Sequence, residues 1–134
     1  MSISTGSGHC VYRETSKVFA YQPGKSLTVL QTFVMGTARE GKRTRAGYFD
    51  ISNGHYLERD GTNIYFVRRS TSQTGSVQET RIAKQNWNLN RLDGTDASKI
   101  TLDLDVAQIL FTSIEWLGVG SVIQGFVINA QFIP

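Results

Sequence analysis

The sequence has little with which to do chemistry. Its one cysteine, Cys10, has no partner for an internal disulfide, which excludes a disulfide-stapled secreted scaffold. An inert thiol is expected of Cys10. The two histidines, His9 and His55, lie far apart and read as surface imidazoles. With 2 prolines and 13 glycines, the chain is not of low complexity. No run approaches the roughly 20 apolar residues of a membrane helix. The opening "MSISTGSGHC" lacks the apolar core and positive lead of a signal peptide. A soluble protein with no membrane partner is expected. Charge of one sign is scarce as well. The net charge of +3 is below that of a dedicated nucleic-acid binder.

Helical periodicity is also missing. No stretch of about 12 residues repeats every 3.6 positions between caps. "LDVAQILFTSIEW" comes nearest, but Ile109, Phe111, Thr112, Ile114 and Trp116 are strand formers.

What the chain does contain is strand pattern and turn chemistry. Its 134 residues suit one domain, and 40% hydrophobic residues suit a buried core. Residues 1–10 are rich in Ser, Gly and Thr and read as a flexible arm, with 11–134 as the folded domain. In "KSLTVLQTFVM", Leu27, Val29, Gln31, Phe33 and Met35 alternate with Thr28, Leu30, Thr32 and Val34, the mark of a strand with one buried face. "TAREGKRTR" reads as an exposed basic loop.

In "RAGYFDISNGHYLERDGTNIYFVRRS", Asn53-Gly54 and Asp60-Gly61 separate three strand-like runs. Both pairs tolerate the positive φ of tight hairpins, which predicts a three-stranded meander. "SQTG" marks a further turn and "SVQETRIA" a further strand. "NWNLNRLDGTDASKI" is polar and turn-rich, with room for a short helix only. Eight or more short strands imply an all-β antiparallel sandwich, jelly-roll or concanavalin-like, as a single domain.

Two glycine-rich stretches imitate nucleotide sites. Gly118, Gly120 and Gly125 are spaced two residues too widely for a dinucleotide fingerprint, and the β-rich "FVINAQFI" follows where a helix is needed. These glycines read as packing devices, with Trp116 and Phe126 as the large neighbours lying across them. Trp116, Val119, Phe126 and Ile128 are expected in the core. Gly24-Lys25-Ser26 resembles the end of a P-loop, but Phe19 occupies the place of the first glycine. Pro23-Gly24 reads as a turn.

Other constellations are equally thin. Asp103 and Asp105 share a strand face, and Asp93 and Asp96 precede them, yet no second acidic cluster accompanies them as a calcium site requires. A pair of glycosidase carboxylates has no sequence signature here. Arg39, Lys42, Arg43 and Arg45 cluster in one loop, and Arg68 and Arg69 end a strand near Tyr48, Tyr65 and Phe66. Glu40, Asp50, Glu58 and Asp60 are interleaved with them, which argues against a nucleic-acid partner. No catalytic residue, cofactor, metal or small-molecule substrate is expected, and no enzyme.

In order along the chain stand "YQPGKSL", "RAGYFDISNGHYLERDG", "VRRS", "QNWNLNRLDG" and "QILFTSIEWLGVGSVIQGFVINAQ". From about Val18 to Ile133 this series resembles a domain of virion structural proteins of tailed bacteriophages, cyanophages especially, and of some large DNA viruses. The resemblance implies a particle component, a tail, baseplate or capsid-decoration protein, located in the virion. Its partners are then other virion proteins and copies of itself. It brings no catalytic residues. Members usually continue beyond the position of Pro134, which implies a minimal form or a fragment. The alternative is a lectin-like module holding host glycan on exposed aromatics such as Tyr56 or Tyr65. An apolar segment of Val11, Tyr12, Val18, Phe19 and Tyr21 precedes the first strand. It is expected to add to a sheet edge, its own or a neighbour's, in an oligomer.

Overall fold

A computed structural model describes residues 8–20, 22, 24–72, 75–116 and 120–134. Eight strands follow in chain order: β1 (Leu27–Phe33), β2 (Arg43–Phe49), β3 (Gly54–Asp60), β4 (Asn63–Ser70), β5 (Gln78–Ala83), β6 (Gln108–Trp116), β7 (Gly120–Ile128) and β8 (Gln131–Ile133). A 3₁₀ turn at Lys84–Asn86 is the one helical piece among the described residues. No helix there is long and apolar enough to cross a membrane.

The strands form two antiparallel four-stranded sheets, β1-β6-β7-β8 and β2-β3-β4-β5. Their inner faces share one core, so the fold is an all-β sandwich. Every pairing joins consecutive strands except β1 with β6, which ties the first strand to the last three. The core holds Met35, Ala46, Leu57, Leu92, Leu102, Leu104, Leu110 and Phe126. Leu92, Leu102 and Leu104 come from the long polar connection between β5 and β6, whose leucines plug the space between the sheets. That connection is pinned by an Asp93–Thr101 bridge and by Met35 N–H donating to Leu104 O at 3.2 Å. Trp87 stacks on Phe66 with 4.3 Å between ring centres.

The alternation in β1 is as its sequence implies: Leu27, Val29, Gln31 and Phe33 are half-buried and the residues between them are exposed. The meander is present, but its two turns differ. Asp60 pairs with Asn63, leaving Gly61 and Thr62 as a two-residue turn, with Gly61 at φ +58°. Asn53-Gly54 is not a second such turn. Phe49 pairs with Gly54, so the loop is the four residues 50–53 and Gly54 opens β3. The Asp50 carboxylate closes that loop by accepting from Ser52 and Asn53 N–H, both at 2.7 Å. An Asx cap thus does what a tight Asn-Gly turn would have done. The β7–β8 hairpin turns on Asn129 and Ala130, both in the left-handed region.

Of the residues expected in the last hairpin, Phe126 is fully buried and Ile128 packs against the core. Gly120 opens β7 opposite Trp116. Gly118, Val119 and the side chain of Trp116 lie outside the described residues. At Gly125 the large neighbour is Phe111, not Trp116 or Phe126: a Cβ there would meet the Phe111 ring, the Ile133 carbonyl oxygen and Pro134. Phe126 cannot fill that role because alternation along β7 turns it to the opposite face from Gly125.

Candidate functional site: the two outer faces

The pairing register assigns each strand residue to the core side or to an outer face. On the outer face of β2-β3-β4-β5, Arg43 and Arg45 of β2 meet Glu58 and Asp60 of β3, and Arg69 of β4 meets Glu79 of β5, with Arg81 beside it. Arg43 and Arg45 therefore lie in a strand, not in the basic loop expected for them. The loop keeps Lys42, whose ammonium donates to Met35 O at 3.1 Å.

Glu58 is fully buried although it points away from the sandwich core. The arginines cover it. Arg45 Nε donates to its Oε2 at 2.6 Å, and Arg81 Nη2 lies 2.7 Å from its Oε1 as an ionic contact without hydrogen-bond alignment. Arg43 stands 3.9 Å off. Glu79 accepts from Arg69 at 2.7 Å and from the Tyr56 hydroxyl at 2.8 Å. Burial pushes the Glu79 carboxyl up, but the hydrogen bonds from Arg69 and Tyr56 and the Arg45 charge together hold it below the usual carboxylate range. Burial, and then the bond to Glu79, push the Tyr56 phenol up. Arg45 and Arg69 both lie over the Tyr56 ring, at 5.2 and 5.3 Å from its centre, and Arg81 covers Tyr65 at 5.6 Å. Four arginines and three carboxylates thus close this face as an ionic lattice, with one net positive charge. Its cations are already engaged by acids of the same sheet.

The same lattice holds the two aromatics named for glycan stacking, Tyr65 half-buried. Tyr56 is fully buried and Tyr65 lies under Arg81. Arg68 projects to the opposite face from Arg69, beside His55. Burial, and then the Arg68 charge, lower the His55 pKa. The acids of the β5–β6 connection are engaged as well. Asp105 pairs with Arg59 at 2.7 Å, Asp93 accepts from Thr95 N–H at 2.9 Å, and Asp96 accepts from Arg91 N–H at 2.5 Å. Among the described residues no group of three or more His, Cys, Asp or Glu is placed to hold a metal ion.

The outer face of β1-β6-β7-β8 is of the opposite character. Its outward side chains are Thr28, Leu30 and Thr32 of β1, Ile109, Phe111, Ser113 and Glu115 of β6, Ser121, Ile123 and Val127 of β7, and Phe132 of β8. Glu115, at one end, is the single charge among them. Leu30 and Phe132 are 57% exposed, Ile123 40% and Ile109 37%. Because Gly125 has no side chain, Phe111 sinks against the sheet and meets Phe132 edge-on, 5.1 Å between centres. An open groove of about 420 Å³ results, lined by Phe111, Thr28, Ser113, Ile123, Phe132 and Pro134.

The described residues of the segment preceding β1 take no part in either sheet. Val11, Tyr12, Val18 and Phe19 are exposed, outside any strand, and Phe19 O accepts a hydrogen bond from the Tyr48 hydroxyl. Tyr21 lies outside the described residues. Sequence reading missed both outer faces. The ionic lattice was legible in principle, since Arg43/Arg45, Glu58/Asp60 and Glu79/Arg81 are all i, i+2 pairs that known hairpin registers superimpose. The apolar face was hidden because β6 and β7 are apolar on both sides, which reads as a buried strand.

No family model, curated protein or solved structure matches the chain.

Proposed function

We propose that the chain is a structural subunit that works by protein–protein assembly. One observation carries this reading: an outer sheet face with a single charge leaves Leu30, Ile109, Ile123 and Phe132 in water. Contiguous exposed apolar surface of this kind marks an interaction site. The ionic lattice on the opposite outer face makes the contrast sharper, because a sandwich that merely needs solubility can charge both faces. The setting follows the resemblance in the motifs between Val18 and Ile133. It is a virus particle, in which the subunit serves as a tail or baseplate component or a capsid decoration. Symmetric repetition there multiplies modest contacts.

The test is fractionation. Particles purified from an infected host that expresses a tagged copy should carry the chain at a fixed number per particle, resistant to salt washing. A chain found only in the free fraction, and binding a host glycan as a monomer, overturns the reading in favour of a recognition module.

A further inference from the structure

We infer that the apolar outer face of β1-β6-β7-β8 docks on the same face of a second copy of this chain. The inference rests on the assembly reading and names the partner at that face. Three observations select a second copy over an unrelated protein.

The first is charge. Glu115 sits at one end of the face and the middle carries no charge. Two copies laid face to face meet no like-charge opposition, and neither buries an unpaired ion. A partner recognised through its charges finds nothing to read.

The second is shape. The groove floored by Phe111 and walled by Ile123 and Phe132 lies next to Leu30, which projects at 57% exposure. Projection and socket thus share one face. A two-fold axis lying between two such faces can turn each Leu30 toward the other copy's groove, the self-complementarity that an isologous interface requires.

The third is area. Four strands about 4.8 Å apart, of 7, 9, 9 and 3 residues at about 3.3 Å each, give a flat area on the order of 450 Å². A stable interface takes about 800 Å² from each partner. The same chain carries further uncovered apolar surface in Val11, Tyr12, Val18 and Phe19. The nine residues from Val11 to Phe19 bend at Ser16 and Lys17, so they span less than the about 30 Å of a fully extended stretch, and at about 10 Å wide they supply part of the shortfall. The sheet face is therefore the centre of the contact, and the segment before β1 lies along its margin on the partner copy.

Sedimentation velocity over a concentration series tests this with the full chain. The variants are Leu30→Lys with Phe132→Lys, a chain lacking residues 1–21, and Ile51→Lys as a control at an 82% exposed position in the β2–β3 loop of the other sheet. All are checked for folding by circular dichroism. The wild type should dimerise, and the double lysine variant should weaken the dimer about a hundredfold or more, since each lysine would be buried without a partner. The truncated chain should dimerise about tenfold or more weakly, and Ile51→Lys should match the wild type. A wild-type oligomer indifferent to the two lysines overturns this inference and leaves assembly standing through another surface. A wild type monomeric at every concentration overturns it too, and assembly then stands or falls with recovery from particles. Truncation that strengthens association means the segment covers its own face, which also overturns the inference.

Discussion

Replacing Glu58 by Gln keeps the shape of the side chain and removes one negative charge from the middle of the ionic lattice. The carboxylate is fully buried, with Arg45 at 2.6 Å, Arg81 at 2.7 Å and Arg43 at 3.9 Å. The variant leaves four arginines facing two carboxylates. Breaking a buried ion pair by removing one partner costs about 3–5 kcal/mol. The Arg45 and Arg81 side chains are 25% and 32% exposed, so both can turn partly toward water and recover some hydration. A loss of about 2–4 kcal/mol is expected. Urea unfolding followed by tryptophan fluorescence, to which Trp87 stacked on Phe66 contributes together with Trp116, reads it. Because the carboxylate is shielded from solvent, the loss should be nearly equal in low and high salt. A second variant, Arg43→Gln, removes a partly exposed cation from the same lattice. It should cost under about 1 kcal/mol, and that loss should shrink with salt. If Glu58→Gln costs no more than Arg43→Gln, the claim that arginines close this face over a buried charge is wrong.

Ala130 holds a left-handed conformation that costs an L-residue about 1–2 kcal/mol, so Ala130→Gly should stabilise by about 1 kcal/mol and raise the melting temperature by a few degrees. Gly125→Ala would drive a Cβ into the Ile133 carbonyl and the Phe111 ring. It should cost about 1–3 kcal/mol, with faster amide exchange in β8 than in β1. His55 has a lowered folded pKa, so its neutral form contributes stability above its ordinary value of about 6.5 that is lost as pH falls. The melting temperature should decline from pH 7 to pH 5, and His55→Gln should flatten that decline. Glu79 behaves alike in a lower window. Its depressed carboxyl contributes stability above about pH 4.3 that is lost below it, and Glu79→Gln should remove that acid limb.

The strand pattern was legible wherever alternation met turn residues. Residues Lys25–Met35 alternate cleanly because only one face of β1 is buried, and Gly61 sits where a two-residue turn demands positive φ. The β7–β8 turn was not legible, since Ala130 carries no signal for the conformation that tertiary pairing imposes on it. The four-residue loop at Asp50–Asn53 shows the same limit: a side-chain cap from Asp50 competes with the Asn-Gly turn and wins. Candidate surfaces were harder still. Sequence distance separates Glu58 from Arg81 and Glu79 from Arg69, and only the register of two successive hairpins brings them together. The apolar outer face depends on Gly125 lying opposite Phe111, a cross-strand fact that reading one strand at a time does not contain.

The most direct test of the account is hydroxyl-radical footprinting of the full chain, dilute and concentrated. Leu30, Ile109 and Phe132, exposed in the single chain, should become protected on concentration, while Ile51, 82% exposed, should stay equally reactive. Protection at Ile51 with none at Leu30 or Phe132 would contradict it.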